Sequence, residues 1–227
     1  MKYYYDLHIH TCLSPCGDVL MTPNNILNMA SLKELDIIAI TDHNSTLQLP
    51  SIMELAESYD MLVIPGVEVT TKENYHVVCL FKSLSDANQF QSVLEHFLNK
   101  RSYDKELYGY EQILDVNDEE VAELDYYLTP PTNLDVNNLN RVVKKIGGLL
   151  ILAHPHKYPN LEITDEFISK FDGFERHLKD SSHIINKQSK LFENSDAHQI
   201  IDILEKTSCI ELEDLTIESF FKYMEDK

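Results

Sequence analysis

Apolar, strand-like runs in this chain end again and again on a histidine or a carboxylate. Tyr3–Leu7 leads into His8-Ile9-His10, Ile37–Ile40 into Thr41-Asp42-His43, and Leu62–Val67 into Glu68. Leu149–Ala153 leads into His154, and the stretch from Leu191 into Asp196-Ala197-His198. Strand ends of an α/β barrel converge on one face, so a barrel lets residues this far apart in sequence share one site. Imidazole and carboxylate together ligate zinc, iron and manganese. The pattern therefore points to a barrel that carries a metal-dependent hydrolytic site.

The segments between the runs fit the connections such a barrel needs. Thr22 can cap a helix that Pro23 enters at its first turn, with Ile26, Leu27 and Ala30 on one face. Pro50–Tyr59 repeats this with Ile52, Leu55 and Ala56 as its apolar stripe. Strand–helix–strand units of this kind imply parallel pairing with right-handed crossovers. The next connection is different, because only Thr71–Asn74 separate the Glu68 run from Tyr75–Phe81. Four residues cannot hold a parallel crossover, so an antiparallel hairpin is expected there. His76, at the start of its strand, then lies at the same end of the sheet as Glu68.

A helix is expected over Asp86–Lys100, with Phe90, Val93, Leu94 and Phe97 inward and His96 on its surface. Residues 101–135 lose the rhythm: the acidic run Asp115–Glu120, Tyr126-Tyr127 and Pro130-Pro131 read as an excursion from the barrel. It would shape a substrate entrance or an oligomer contact. From Val136 a helix runs to Ile146, Gly147-Gly148 stop it, and a buried strand follows to His154. Phe171–Glu175, Leu191–Ser195 and Ser208–Leu212 are shorter strand candidates. The expectation is one domain over residues 1–227, since a chain of this length buries well over half of its unfolded surface.

Charge and cysteine content narrow the partners. Thirty-eight acidic against nineteen basic residues give a net charge of −19, which opposes stable contact with a nucleic-acid backbone. Divalent cations would reverse the local sign inside a pocket, so a small anionic substrate stays compatible with an acidic exterior. No apolar run approaches the ~18 residues of a membrane span, and the N-terminus reads as a strand rather than a signal peptide. A cytoplasmic location without membrane contact is expected, and the oligomeric state is left open. Cys12, Cys16, Cys79 and Cys209 are too few and too scattered for a disulfide framework. Cys79, inside an apolar run, reads as packing.

Strand alternation puts His8 and His10 on one face, where two imidazoles can grip one ion, and Asp196-x-His198 repeats that geometry. Neither pair is specific alone. In combination, Asp6-Leu7-His8-Ile9-His10-Thr11, Ile40-Thr41-Asp42-His43-Asn44, Pro65-Gly66-Val67-Glu68-Val69, Tyr75-His76-Val77, Leu152-Ala153-His154-Pro155 and Ser195-Asp196-Ala197-His198 resemble the PHP family, named for polymerase and histidinol phosphatase. The matching segments follow the family's order across residues 6–198. The resemblance implies a distorted seven-stranded β/α barrel and metal-dependent phosphoesterase activity.

It further implies that His8, His10, Glu68 and Asp196 hold one divalent ion, with Glu68 bridging to a second held by His76 and His154. His43 and His198 would hold a third, and the cofactor is two or three ions of zinc, iron or manganese. The family adds one more ligand to the third ion shortly after the His-x-His pair. Here Leu13-Ser14-Pro15-Cys16-Gly17-Asp18 breaks the usual spacing, so Asp18 is the expected ligand and a Cys16 thiolate the alternative. Glu68, Asp196 and His198 are the expected catalytic residues.

Asp42 either bonds a ligand histidine or anchors a turn. His156, Arg176 and His177 are candidate substrate contacts, because they follow strands that end on the active face. Arg176 is one of three arginines and its fork suits a phosphate, although pairing with an acidic neighbour is the competing role. The expected reaction is hydrolysis of a small phosphorylated substrate by a metal-activated hydroxide. The rivals are amide hydrolysis at the same site and a non-catalytic metal-binding accessory domain.

Overall fold

The computed structural model describes residues 1–158, 161, 164–176 and 190–225. β1 spans Lys2–Ile9, followed by α1 (Pro23–Leu32), β2 (Ile37–Ile40), α2 (Leu49–Ala56), β3 (Leu62–Thr70), β4 (His76–Leu80) and α3 (Leu84–Leu94). The excursion holds α4 (Lys105–Tyr108) and a separate hairpin of β5 (Gln112–Leu114) and β6 (Glu120–Glu123). Then come α5 (Val136–Ile146), β7 (Leu149–Leu152), α6 (Asp165–Ile168), β8 (Gly173–Glu175), β9 (Lys190–Phe192), β10 (Cys209–Glu211) and α7 (Ile217–Glu225).

Eight strands form one sheet in the order β10-β1-β2-β3-β4-β7-β8-β9. β1, β2 and β3 pair in parallel, as do β7, β8 and β9, while β4 runs antiparallel to both β3 and β7. The expected hairpin is present, with Thr70 opposite His76 and Glu68 opposite Val78. β10 adds an antiparallel edge beside β1. The sheet curls until the chain after β9 meets β1 through a bridge between Ile9 and Ala197, held by His10 N–H to Ala197 O at 3.0 Å. This is the distorted α/β barrel that the strand–helix rhythm implied.

Both faces of the sheet are buried. Ile38, Ile40, Val67, Val69, Val77 and Cys79 pack outward against Ile26, Leu27, Ile52, Phe90 and Leu139 of the helices. Their neighbours Ile37, Ala39, Ile64, Val78, Leu80 and Ile151 form an inner core together with Phe220, Phe221 and Met224 of α7. Period-two alternation sends Glu68 inward with Ile64. On β1 the register shifts between Asp6 and Ile9. Tyr5 and Leu7 therefore join the inner core, while Ile9 joins the outer one and His8 and His10 still face the centre.

The helix ends follow local chemistry. Thr22 Oγ1 caps α1 by accepting Asn25 N–H, Asp135 Oδ1 caps α5 by accepting Asn138 N–H at 2.8 Å, and Gly147 stops α5 at φ 84°. α3 ends at Leu94, short of the expected Lys100. Its last turn tightens through Phe97 N–H to Leu94 O, and the returning chain captures Phe97 O with Asn133 N–H at 2.8 Å.

Residues 101–135 are clamped to the barrel rather than hanging from it. Asp118 accepts Thr22 Oγ1 at 2.7 Å and Asn24 N–H at 3.2 Å, Gln48 brackets Leu114 with two hydrogen bonds, and Asn44 Nδ2 donates to Leu128 O and Pro130 O. Among the described residues no helix is long and apolar enough to cross a membrane.

Gly66 of β3 lies opposite Leu80 of β4. A Cβ there would lie 2.9 Å from both Leu80 Cδ2 and Thr41 Cγ2. Gly66→Ala is expected to destabilise the protein by about 1–3 kcal/mol through overpacking, read as a lower urea midpoint at unchanged slope.

Candidate metal centre

Glu68 has no exposed surface, and five imidazole nitrogens surround its carboxylate. His76 Nδ1 and His154 Nε2 lie 3.0 Å from Oε1 and His8 Nε2 lies 3.2 Å from it. His43 Nδ1 and His10 Nε2 are 2.9 and 3.6 Å from Oε2. Asp196 Oδ1 faces His10 and His8 at 3.3 and 3.5 Å. Three compact groups of donors result: His8, Glu68, His154 and Asp196; His43, Glu68 and His76; and His10, His43 and His198. All eight strand-end histidines and carboxylates expected as ligands thus meet. They share neighbours more closely than separate sites would, with His154 beside His8 as well as His76, and His10 beside His43 and His198.

The donor set fits cations better than it fits itself. His8 Nδ1 pairs with Glu175 Oε1 at 2.7 Å and His10 Nδ1 with Ser14 Oγ at 3.1 Å. If both Nδ1 atoms donate, both Nε2 atoms carry lone pairs, and these sit 3.1 Å apart. Only a proton or a metal ion can bridge them. His43 Nδ1 and Glu68 Oε2 are close but have no hydrogen-bond partner, although both are buried. Two of the expected ligands also hold left-handed backbone conformations, His154 at φ 41° and Asp196 at φ 55°. Strain of this kind gathers where surrounding structure fixes a functional side chain.

Electrostatics follow the same crowding. Burial opposes ionisation of Glu68, but His8, His43 and His76 hold its carboxyl well below the usual range. Burial likewise disfavours a charged His8, yet Glu175, Glu68 and Asp196 raise it well above an ordinary histidine. His10 is lowered, first by burial and then by His43. The centre therefore combines ionised carboxylates with a His8 that favours its proton and a His10 that does not.

Several residues escaped the sequence reading or fall elsewhere than expected. Glu175, the last residue of β8, accepts His8 Nδ1 on one oxygen and faces His154 Nδ1 at 3.2 Å with the other, while Asn194 Nδ2 donates to it at 2.9 Å. It obeys the strand-end rule, a signal available in the sequence but not used. Lys157 places Nζ 3.4 Å from Asp196 Oδ2 and was not singled out either. Asp42 accepts Thr11 N–H, Thr11 Oγ1 and Ser14 Oγ, each at 2.7 Å, so it anchors the turn and reaches His10 only through Ser14.

Asp18 does not join the cluster. Its Oδ1 accepts Leu20 N–H at 2.8 Å in a local turn, which its neighbours in the chain favour over a reach into the centre. Burial would raise the pKa of the Cys16 thiol, but the neighbouring His198 and His43 bring it down to about 7. His156 and Arg176 line a cavity of about 250 Å³ with Lys157, Asn194 and Asp196. Arg176 also pairs with Glu193, Nη2 to Oε1 at 2.5 Å. His177 lies outside the described residues.

Glu111 belongs to the excursion and has no exposed surface. Its Oε1 accepts Leu128 N–H at 2.7 Å and its Oε2 has no partner. Burial pushes its carboxyl up to about 8.

Comparison with known proteins supplies the family and the fold likeness. The model of the PHP domain matches residues 6–156, and the chain belongs to that family. It is 32% identical over 104 residues to the uncharacterized protein MJ1587 of Methanocaldococcus jannaschii, a match covering 40% of this chain and 60% of that one. It is 36% identical over 76 residues to the 5'-3' exoribonuclease Rnm of Salmonella typhimurium, covering 33% of this chain and 25% of that one. Its fold superposes on the lesion-specific endonuclease PfuEndoQ of Pyrococcus furiosus with a TM-score of 0.68 at 19% identity, covering 99% of this chain and 56% of that one. The chain thus spans little more than half the length of that endonuclease.

Glu175→Gln should weaken metal binding by about 10–100-fold in competition with a chelator, because His8 and His154 lose the acceptor that orients them. Glu111 has a pH signature. The unfolded carboxyl ionises near its ordinary value of 4.5 whereas the folded one stays protonated up to about 8, so folding takes up a proton between them. Stability should then fall as pH rises through that window, and Glu111→Gln should flatten the fall in urea midpoints measured from pH 5 to 9.

Proposed function

We propose that this protein is a metal-dependent phosphoesterase that hydrolyses a small phosphorylated substrate. The observation that carries the reading is the sealed Glu68, set among five imidazoles and opening through Asp196 onto a cavity that bears Lys157 and Arg176. Bound divalent ions would polarise the phosphoryl group and make water nucleophilic near neutral pH. His8, Glu68, His154 and Asp196 are the residues that would hold one such ion, with Glu68, His43 and His76 at a second and His10, His43 and His198 at a third. The histidine-rich set leaves zinc, iron and manganese as the candidates.

The chain's own groups divide the work by exposure. Glu68 is closed off and acts as a holder, while the Asp196 side chain is 25% exposed to the cavity and can take the proton of the attacking water. Lys157 and Arg176 line the same cavity as His154 and Asp196 and offer cations to the phosphate oxygens. Glu175 keeps His8 and His154 aimed inward, and His198 is held by Nδ1 to Asp196 O at 2.7 Å. Displacement of an alcohol follows, with no covalent intermediate on the protein.

A second reading is favoured by the likeness to an exoribonuclease and a DNA endonuclease: the phosphoester could sit at the end of a nucleic acid. The charge of −19 disfavours long contacts with a polyanion, so the cavity-sized substrate is the better fit. A phosphate-release screen over phosphorylated metabolites and short oligonucleotides, with zinc, manganese or iron added separately, decides between them. Metal-dependent release from small monoesters is expected. Glu68→Gln should lower kcat/KM at least about 100-fold and deplete bound metal. Full activity in that variant, or none on any phosphoester with any of the metals, would overturn the reading.

A further inference from the structure

No hydrogen bond between side chains holds His43 against Glu68. His43 Nδ1 and Glu68 Oε2 lie 2.9 Å apart, both buried and both without a hydrogen-bond partner, although the two residues belong to one donor group with His76. Their approach is set by the backbone. Glu68 N–H donates to Asp42 O at 3.0 Å and Asn44 N–H donates to Glu68 O at 2.9 Å, a parallel bridge that pins the turn after β2 to β3.

Asn44 extends this bridge on two sides. Its backbone is left-handed at φ 47°, a conformation that asparagine adopts more readily than most residues, and it has no exposed surface. Its Oδ1 accepts Thr70 N–H at 2.9 Å, at the end of β3 opposite His76. Its Nδ2 donates to Leu128 O at 2.6 Å and to Pro130 O at 3.2 Å, both on the return of the excursion. Leu128 is held from its other side by Glu111 Oε1, which accepts its N–H at 2.7 Å, and Thr132 donates N–H and Oγ1 to Thr70 O, each at 2.9 Å. One buried amide therefore joins the His43 turn, the Glu68 strand and the excursion. With the excursion docked, its oxygen and its nitrogen are both engaged, which fixes the orientation of the amide. If the excursion lifts away, Nδ2 loses both acceptors and the amide is free to turn from Thr70.

We propose that Asn44 is a positioning residue that couples the excursion to the metal centre: its amide sets His43 against Glu68 while residues 128–132 are docked, so cation binding and docking of the excursion favour each other. The inference rests on the metal-centre reading and adds no ligand to it. Coupling of this kind is reciprocal, so the factor that docking adds to cation affinity is the factor that a bound cation adds to docking.

Two measurements on the full chain test the coupling: cobalt(II) affinity by competition with a chelator, and hydrogen exchange over residues 128–134 with and without saturating cobalt. In the wild type, cobalt should slow exchange of the Leu128 and Thr132 amides. Asn44→Gly keeps the left-handed turn and removes only the side-chain amide. It should bind cobalt about 10–100-fold more weakly, and saturating cobalt should no longer slow exchange at Leu128 and Thr132. Asn44→Ala, strained at this φ, should match Asn44→Gly in affinity but unfold at lower urea. Wild-type affinity in Asn44→Gly, with a loss in Asn44→Ala alone, would mean that the residue only permits the turn, and overturns the proposal. Wild-type exchange that cobalt leaves unchanged overturns it as well, whether or not either variant folds, and so does slowing that persists in Asn44→Gly. Those three results leave the metal centre standing, whereas a wild type that binds no cobalt overturns both.

Discussion

A carboxylate with no contact to water cannot remain ionised unless positive charge gathers round it, and Glu68 makes that demand on the whole barrel. Five imidazoles lie within 3.6 Å of it, and they come from β1, the turn after β2, the start of β4 and the end of β7. Each of those elements must be in register for the centre to exist. The antiparallel placement of β4 is part of this, since a parallel β4 would carry His76 to the opposite end of the sheet. The inner core below Glu68, closed by Phe220 and Phe221 of α7, is therefore the floor of the site as well as a source of stability.

Around the central group lies a layer of polar residues whose task is aim. Glu175 holds two histidines, Ser14 holds a third, and Asp42 holds Ser14 through a turn it fastens with three hydrogen bonds. Without these partners the imidazole tautomers would be undetermined, and a ring turned the wrong way presents N–H where a lone pair is needed. The excursion over residues 101–135 extends the layer. It packs against Pro15 through Gly109 and caps α1 through Asp118, so the chain beside the site is braced from outside the barrel.

The relatives set this centre in context. The family spans residues 6–156, and fold likeness to a DNA endonuclease extends over nearly the whole chain. A chain with twice as many acidic as basic residues offers little to a long polyanion, so a shared fold here need not mean a shared substrate. Among the described residues, the lysine and arginine that line the cavity, Lys157 and Arg176, are both engaged with carboxylates, Asp196 and Glu193.

The ligand set was legible in the sequence because barrel geometry turns position in the chain into position in space: any residue that ends a parallel strand arrives at one face. The same logic, with the short Thr71–Asn74 link, foretold the β3–β4 hairpin. Glu175 satisfied the rule and was passed over, since a carboxylate at a strand end does not declare which histidine it will hold. That the Asp18 carboxylate turns to Leu20 N–H was beyond the sequence, because the path of its loop is set by close contacts of Gly17 with Thr11 and of Gly109 with Pro15. Sequence by itself determined which residues reach the face, through strand period and the side of the sheet on which each strand ends. Only the tertiary structure decided which of them touch, since separations of an ångström between atoms on different strands are set by curl, register and packing that no local pattern encodes.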